Sequence, residues 1–86
     1  MKTNAKKVSR ETRPIYEIAK EIRNDWQNVY FGAKPYLAAM MSLNTINDNY
    51  GFDSAKMIVL YFLSNASTWK GETAKRIKKE LKAMCK

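Results

Sequence analysis

From Ile15 to Tyr30, seven apolar residues (Ile15, Ile18, Ala19, Ile22, Trp26, Val29 and Tyr30) recur at gaps of mostly three and four. At about 100° per residue they fall within roughly a third of a helix circumference. Glu17, Lys20, Glu21, Asn24 and Asn28 take the opposite side. The spacing predicts an amphipathic helix, and such a helix requires other elements to cover its apolar stripe. Pro14 stands where a first helical residue should, with Thr12 or Arg13 before it as a natural start.

Gly32 and Pro35 end that helix, since glycine suits the position after a helix and proline cannot continue one cheaply. The segment PYLAAMMSLNTI then predicts a second, short helix that begins with proline. NDNYGFDS, Asn47 to Ser54, supplies turn-forming residues, and Asp53 or Ser54 can cap the element after it. SAKMIVLYFLSNA suits either a strand or a helix. No second strand-like run exists to pair with it, and a lone strand is unstable, so a helix is expected. Being apolar all round, it should be central and buried. SNAS forms the next connection, with Ser67 or Thr68 as cap to a last helix. There Ala74, Ile77, Leu81 and Met84 share a face, with Trp69 and Thr73 at its edge. Short connections make successive helices antiparallel neighbours, so the third and fourth should form a hairpin. The expected fold is all-α: a small four-helix domain over residues 14–86, preceded by a disordered basic arm over residues 1–13.

What such a chain can do is narrowed by what it lacks. Eighty-six residues make one domain whose core is too small for a deep, enclosed active site. The chain has no histidine and one cysteine, Cys85, so neither a zinc site nor an internal disulfide is expected. Losing histidine also removes the commonest general base near neutral pH. No phosphate-cradling glycine loop is present, and nothing arranges a Ser-Lys nucleophilic pair. NDNYGFD resembles a calcium loop only superficially: with Gly51 at the glycine position, Ile46 falls on the first ligand position. Asn65-Ala66-Ser67 matches a glycosylation acceptor by chance, as nothing suggests secretion. The expectation is a protein without cofactor, metal or catalytic activity. The longest apolar run, MIVLYFL, is far short of the ~20 residues that cross a bilayer. The start MKTNAKKVSR lacks an apolar signal core, so no membrane association and a cytoplasmic location are expected.

Charge carries the functional information. Residues 1–13 hold five basic residues against Glu11, a net of +4, and residues 70–86 hold seven against Glu72 and Glu80, a net of +5. The middle has four basic and five acidic residues, a net of −1, so the total of +8 sits at the two ends. Such asymmetry suggests an acidic partner such as nucleic acid. On the last helix Lys75, Lys78, Lys79, Lys82 and Lys86 occupy an arc of roughly 100° beside the apolar face. Glu72 and Glu80 lie on the other flank, and Arg76 can pair with Glu72 at i,i+4. Phosphates demand positive charge rather than shape, which a lysine arc supplies. The same lysines would also answer the helix macrodipole and keep a small protein soluble.

The basic arm, with Lys6, Lys7 and Arg10, strengthens the nucleic-acid reading, since such arms reach along a duplex. Helix–SNAS–helix does not read as a helix-turn-helix, which wants a small residue four positions before the turn. With Asn65 as the turn that position is Tyr61, and a shift of one brings Leu60 or Phe62. Lysines also do not make the paired base contacts of arginine, asparagine and glutamine, so sequence preference should be low. Trp26 falls on a core face, whereas Trp69 either stacks on a partner or lids the core.

The segments PIYEIAKEIRNDW, VYFGAKPYLAAM and YFLSNASTWKGETAKRIKKELK together resemble those of short uncharacterised proteins carried by bacterial phages and other mobile elements. The resemblance covers Pro14 to Lys82 and brings no assigned activity or functional residue. It implies a bacterial cytoplasm and a role in handling nucleic acid or interfering with a host protein.

Two functions are compatible with these features. The first is a non-catalytic nucleic-acid-binding accessory protein, contacting DNA or RNA phosphates through Lys75, Lys78, Lys79 and Lys82, with Lys6, Lys7 and Arg10 adding reach. The second is a protein-interaction module, a homodimer or the binder of an acidic protein. Tyr36, Leu37, Met40, Met41 and Leu43 would supply its apolar surface.

Overall fold

The computed structural model describes residues 13–86. Four helices, α1 (Ile15–Asp25), α2 (Lys34–Met40), α3 (Ala55–Ser64) and α4 (Glu72–Met84), surround one core. A two-stranded ribbon, β1 (Asn49–Tyr50) and β2 (Asp53–Ser54), lies between α2 and α3. The fold is therefore mostly helical rather than all-α. The arm expected at residues 1–13 lies outside the described residues, apart from Arg13.

Helix α1 buries Ile15, Ile18, Ala19 and Ile22, as its period predicts. Pro14 caps the helix instead of opening it, with an extended backbone (φ −58°, ψ 142°) and no side-chain cap. The first amides find backbone partners elsewhere: Ile15 N–H donates to Asn44 O and Tyr16 N–H to Leu43 O, both at 2.9 Å. The helix stops at Asp25, five residues before Tyr30, where the apolar stripe ends. Asn24, Asp25 and Asn28 are weak helix formers whose side chains compete for backbone partners. Trp26 turns out of the helix (φ −92°, ψ 89°) and is still buried, whereas Tyr30 is 44 % exposed.

Helix α2 begins one residue before Pro35 and ends at Met40, well short of Ile46. Asp48 explains the early stop, because its carboxylate accepts from the amides of Asn44 (2.8 Å) and Thr45 (3.2 Å) and from the Thr45 hydroxyl. Those amides hold its carboxyl below the usual carboxylate range. The chain then forms the ribbon, pairing Asn49 with Ser54 and Tyr50 with Asp53 around Gly51 and Phe52. The expected turn is present, and its two sides pair as a short antiparallel ribbon.

Ser54 caps α3 as expected, its Oγ accepting the Met57 amide at 3.1 Å. The helix is not buried all round. Ala55, Ile58, Val59 and Phe62 face the core, while Met57, Leu60 and Tyr61 are 38, 37 and 41 % exposed. A 10-residue helix on the edge of so small a domain has too few neighbours to cover every side. Helix α4 buries Ala74, Ile77 and Leu81 as predicted. Neither Ser67 nor Thr68 caps it: the cap is Gly71 at φ 109°, ψ 179°. Trp69 consequently lies in the connecting loop rather than at the helix edge, and is 2 % exposed.

Contacts run α1–α2, α2–α3, α3–α4 and α4–α1, a closed ring around the core. Helices α3 and α4 pack against each other across the short connection, as expected for a hairpin. At the closed end of that hairpin three rings meet. Trp26 stacks on Trp69 (5.6 Å, 11°), and Phe62 meets Trp26 and Trp69 edge-on at 6.1 and 6.4 Å.

Candidate nucleic-acid interface

The charge pattern of α4 is set by how its apolar face is seated. With Ala74, Ile77 and Leu81 against the core, residues 75, 79, 82 and 86 point away from it at ~100° per residue. Lys75, Lys79, Lys82 and Lys86 are all exposed. From Lys75 to Lys82 the line is about 10 Å long at 1.5 Å per residue, and Lys86 follows just past the end of the helix. The lysines and Ala83 line an open depression of about 550 Å³. A second depression, of about 290 Å³, continues it past Lys75 and Lys78 to Trp69, Lys70 and Gly71, and Glu72, expected on the other flank, lines it beside them.

Lys78, a predicted phosphate contact, is engaged inside the protein. It is half-buried, its Nζ donates to the Trp69 carbonyl oxygen at 2.7 Å, and it lies 5.8 Å from the Trp69 ring centroid. Burial chiefly, and then repulsion from Lys70 and Lys82, holds its ammonium below the ordinary lysine value. The sequence gives no warning, because the position falls on the lysine arc like its neighbours. The difference comes from the loop that precedes the helix.

Two of the acidic residues near α4, Glu21 and Glu80, are engaged by arginine, while Glu72 stays exposed without an ion pair among the described residues. Arg13 forks onto Glu80, with Nε donating to Oε2 at 2.8 Å and Nη2 to Oε1 at 3.0 Å, and it also donates to Glu21 at 2.7 Å. These contacts, that with Glu80 foremost, keep its guanidinium more firmly protonated than usual. Arg76 pairs with Glu21 of α1, not with Glu72 as the i,i+4 spacing suggested. A partner across the α1–α4 contact is fixed by packing, whereas an i,i+4 pair on an exposed face is worth only tenths of a kcal/mol. Among the described residues every ion pair joins Arg13 or Arg76 to Glu21 or Glu80, and none involves a lysine. The cations that can pair are sorted to one flank of α4, and the unpaired ones to its outward face.

Of the arm residues, Lys6, Lys7 and Arg10 lie outside the described residues. Arg13, assigned from sequence to the same arm, is instead held between α1 and α4. Trp69 is closed to a partner, as its face lies on Trp26 and its indole N–H donates to Asp25 Oδ2 at 2.8 Å.

The apolar surface expected on helix two is largely core. Leu37, Met40 and Leu43 are buried, and Tyr36 and Met41 half-buried. The large exposed apolar residues are elsewhere, among them Met57, Leu60 and Tyr61 on α3, Phe31 in the α1–α2 loop, and Phe52 at the ribbon tip. The all-round apolar character of α3 was the available signal for part of this surface. Cys85 is half-buried, and burial pushes its thiol up, away from the reactive thiolate. Among the described residues no helix is long and apolar enough to cross a membrane.

Compared with known protein families, curated proteins and solved structures, the chain matches none of them closely.

Proposed function

We propose that the protein is a small, non-catalytic nucleic-acid-binding accessory protein that holds phosphates on the outward face of α4. The observation that carries this reading is the separation of charge. Glu21 and Glu80 are occupied by Arg13 and Arg76, while Lys75, Lys79, Lys82 and Lys86 have no carboxylate partner among the described residues. Such a row of cations is a surface of high positive potential that an anionic polymer neutralises. Lys78 lines the same depression but has its ammonium on the Trp69 carbonyl oxygen, so its share of the contact is the smaller one. Lys6, Lys7 and Arg10 add positive charge to the same reading. The arm would add charge to whatever α4 holds, and the protein would act in a cytoplasm on DNA or RNA with low sequence preference. Charge reversal at Lys75, Lys79 and Lys82 tests this, read as oligonucleotide anisotropy together with far-UV circular dichroism. Loss of binding with unchanged helical signal is expected. Binding that survives the reversal contradicts the reading.

A second reading, association with a protein partner or a second copy, is favoured by Met57, Leu60 and Tyr61, which sit at i, i+3 and i+4 on the open side of α3. Light scattering of the wild type and of Leu60→Asp tests it. A dimer that persists in high salt and is lost in the variant supports this reading; a monomer at all concentrations contradicts self-association.

A further inference from the structure

We infer that the lysine face takes the backbone of a double-stranded nucleic acid in preference to a single strand. The inference rests on the proposed phosphate binding and narrows its substrate class. Proteins that hold single strands combine a basic groove with rings on which bases stack, each worth about 1–3 kcal/mol. This groove offers no such ring. The one aromatic residue beside the two lysine-lined depressions is Trp69. It is 2 % exposed, its face is taken by Trp26 and its N–H by Asp25. Lys78 closes the remaining approach, lying over the ring and bonded to the same residue's carbonyl oxygen.

The rings that are exposed belong to other surfaces: Tyr16 on α1, Tyr30 and Phe31 in the following loop, Tyr50 and Phe52 on the ribbon, and Tyr61 on α3. Tyr61 is further engaged with Tyr36 at 5.4 Å, and Tyr16 carries Lys20 at 5.8 Å. None borders either depression. What remains at the face is charge along a helix, with lysines outnumbering its one carboxylate, Glu72. A single strand would forgo its stacking and gain only phosphate contacts, at a lower charge density. A duplex presents the denser and stiffer row of phosphates that a helix can lie against.

The same face argues against base reading. Arg76, the one arginine of α4, is held by Glu21 and lies toward α1, leaving lysines to touch the nucleic acid. Those contacts position a duplex without reading its sequence.

The size of the preference is set by counterion release, which scales as about 0.9 per contact for a duplex and about 0.7 for a single strand. For the four exposed lysines the difference amounts to about tenfold at 50 mM salt relative to 1 M. The experiment is anisotropy on the full chain with a mixed-sequence duplex of about 16 base pairs and with each of its separate strands, at about 50 mM salt. Intrinsic tryptophan fluorescence is recorded in the same titrations. The expected result is duplex binding at least about tenfold tighter, with tryptophan emission unchanged. Single-strand binding as tight as duplex binding, or quenching of tryptophan by the strand, overturns the inference and leaves phosphate binding standing. Binding to neither probe overturns both.

Discussion

Lys78 donates from its Nζ to the backbone carbonyl oxygen of Trp69 at 2.7 Å, fastening the middle of α4 to the loop that leads into it. Through this bond a residue of the lysine arc becomes part of the fold. The carbonyl belongs to a loop residue whose ring stacks on Trp26 and whose indole N–H reaches Asp25. Loop, α1 and α4 are joined at one point, and the lysines beyond it are left to the solvent.

Lys78→Met should therefore cost stability that its neighbours do not. A hydrogen bond from a charged group to a partly buried carbonyl contributes about 1–2 kcal/mol, reduced here by partial exposure. Lys79→Met, on the exposed face, should stay within about 0.5 kcal/mol of wild type. Urea denaturation midpoints measure the contrast. Duplex affinity should respond in the opposite order, falling more for Lys79→Met than for Lys78→Met.

Gly71 holds the backbone at φ 109°, ψ 179°, a conformation left almost entirely to glycine. A Cβ there would meet nothing within 4 Å, so any cost of Gly71→Ala is backbone strain without a clash. The variant should lose about 1–3 kcal/mol while keeping its helical signal, as read from thermal or urea unfolding. Stability equal to wild type would mean that the loop accommodates another conformation.

Glu21 sits between two guanidinium groups, and its carboxyl is held below the ordinary glutamate value of 4.5 by Arg76 first and Arg13 second. A depressed carboxyl gives stability that is fully present above pH 4.5 and is lost as pH falls through the lower folded value. Thermal midpoints should drop through that acid window, and Glu21→Gln should flatten the drop. With its side chain 33 % exposed, the pairing is worth about 1 kcal/mol or less at neutral pH. A wild-type and variant pair with identical acid profiles would remove Glu21 from the acid response.

The parts of this fold visible in the sequence are those written in local spacing. Ile15, Ile18 and Ile22 mark one buried face, Ala74, Ile77 and Leu81 another, and Ser54 announces the start of α3. The parts that were not visible depend on residues far apart in the chain. Trp26 leaves α1 with its ring against Trp69, and Asp25 accepts from that same tryptophan 44 positions away. Arg76 had a local partner in Glu72 and took a distant one, Glu21, 55 positions away. The lysine face was legible in outline because a helical arc is a local pattern. Lys78 could not be separated from Lys79 without knowing where Trp69 would place its carbonyl.

If the outward row of lysines binds phosphates, the affinity for duplex must fall steeply with salt, and a salt titration is the decisive measurement. With four contacts the logarithm of the binding constant should fall with a slope of about −3.6 or steeper against the logarithm of salt. That is a loss of about 150-fold between 50 and 200 mM. A flat dependence, or no binding at the lower salt, would contradict the claim and leave the lysines of α4 as a solvated face.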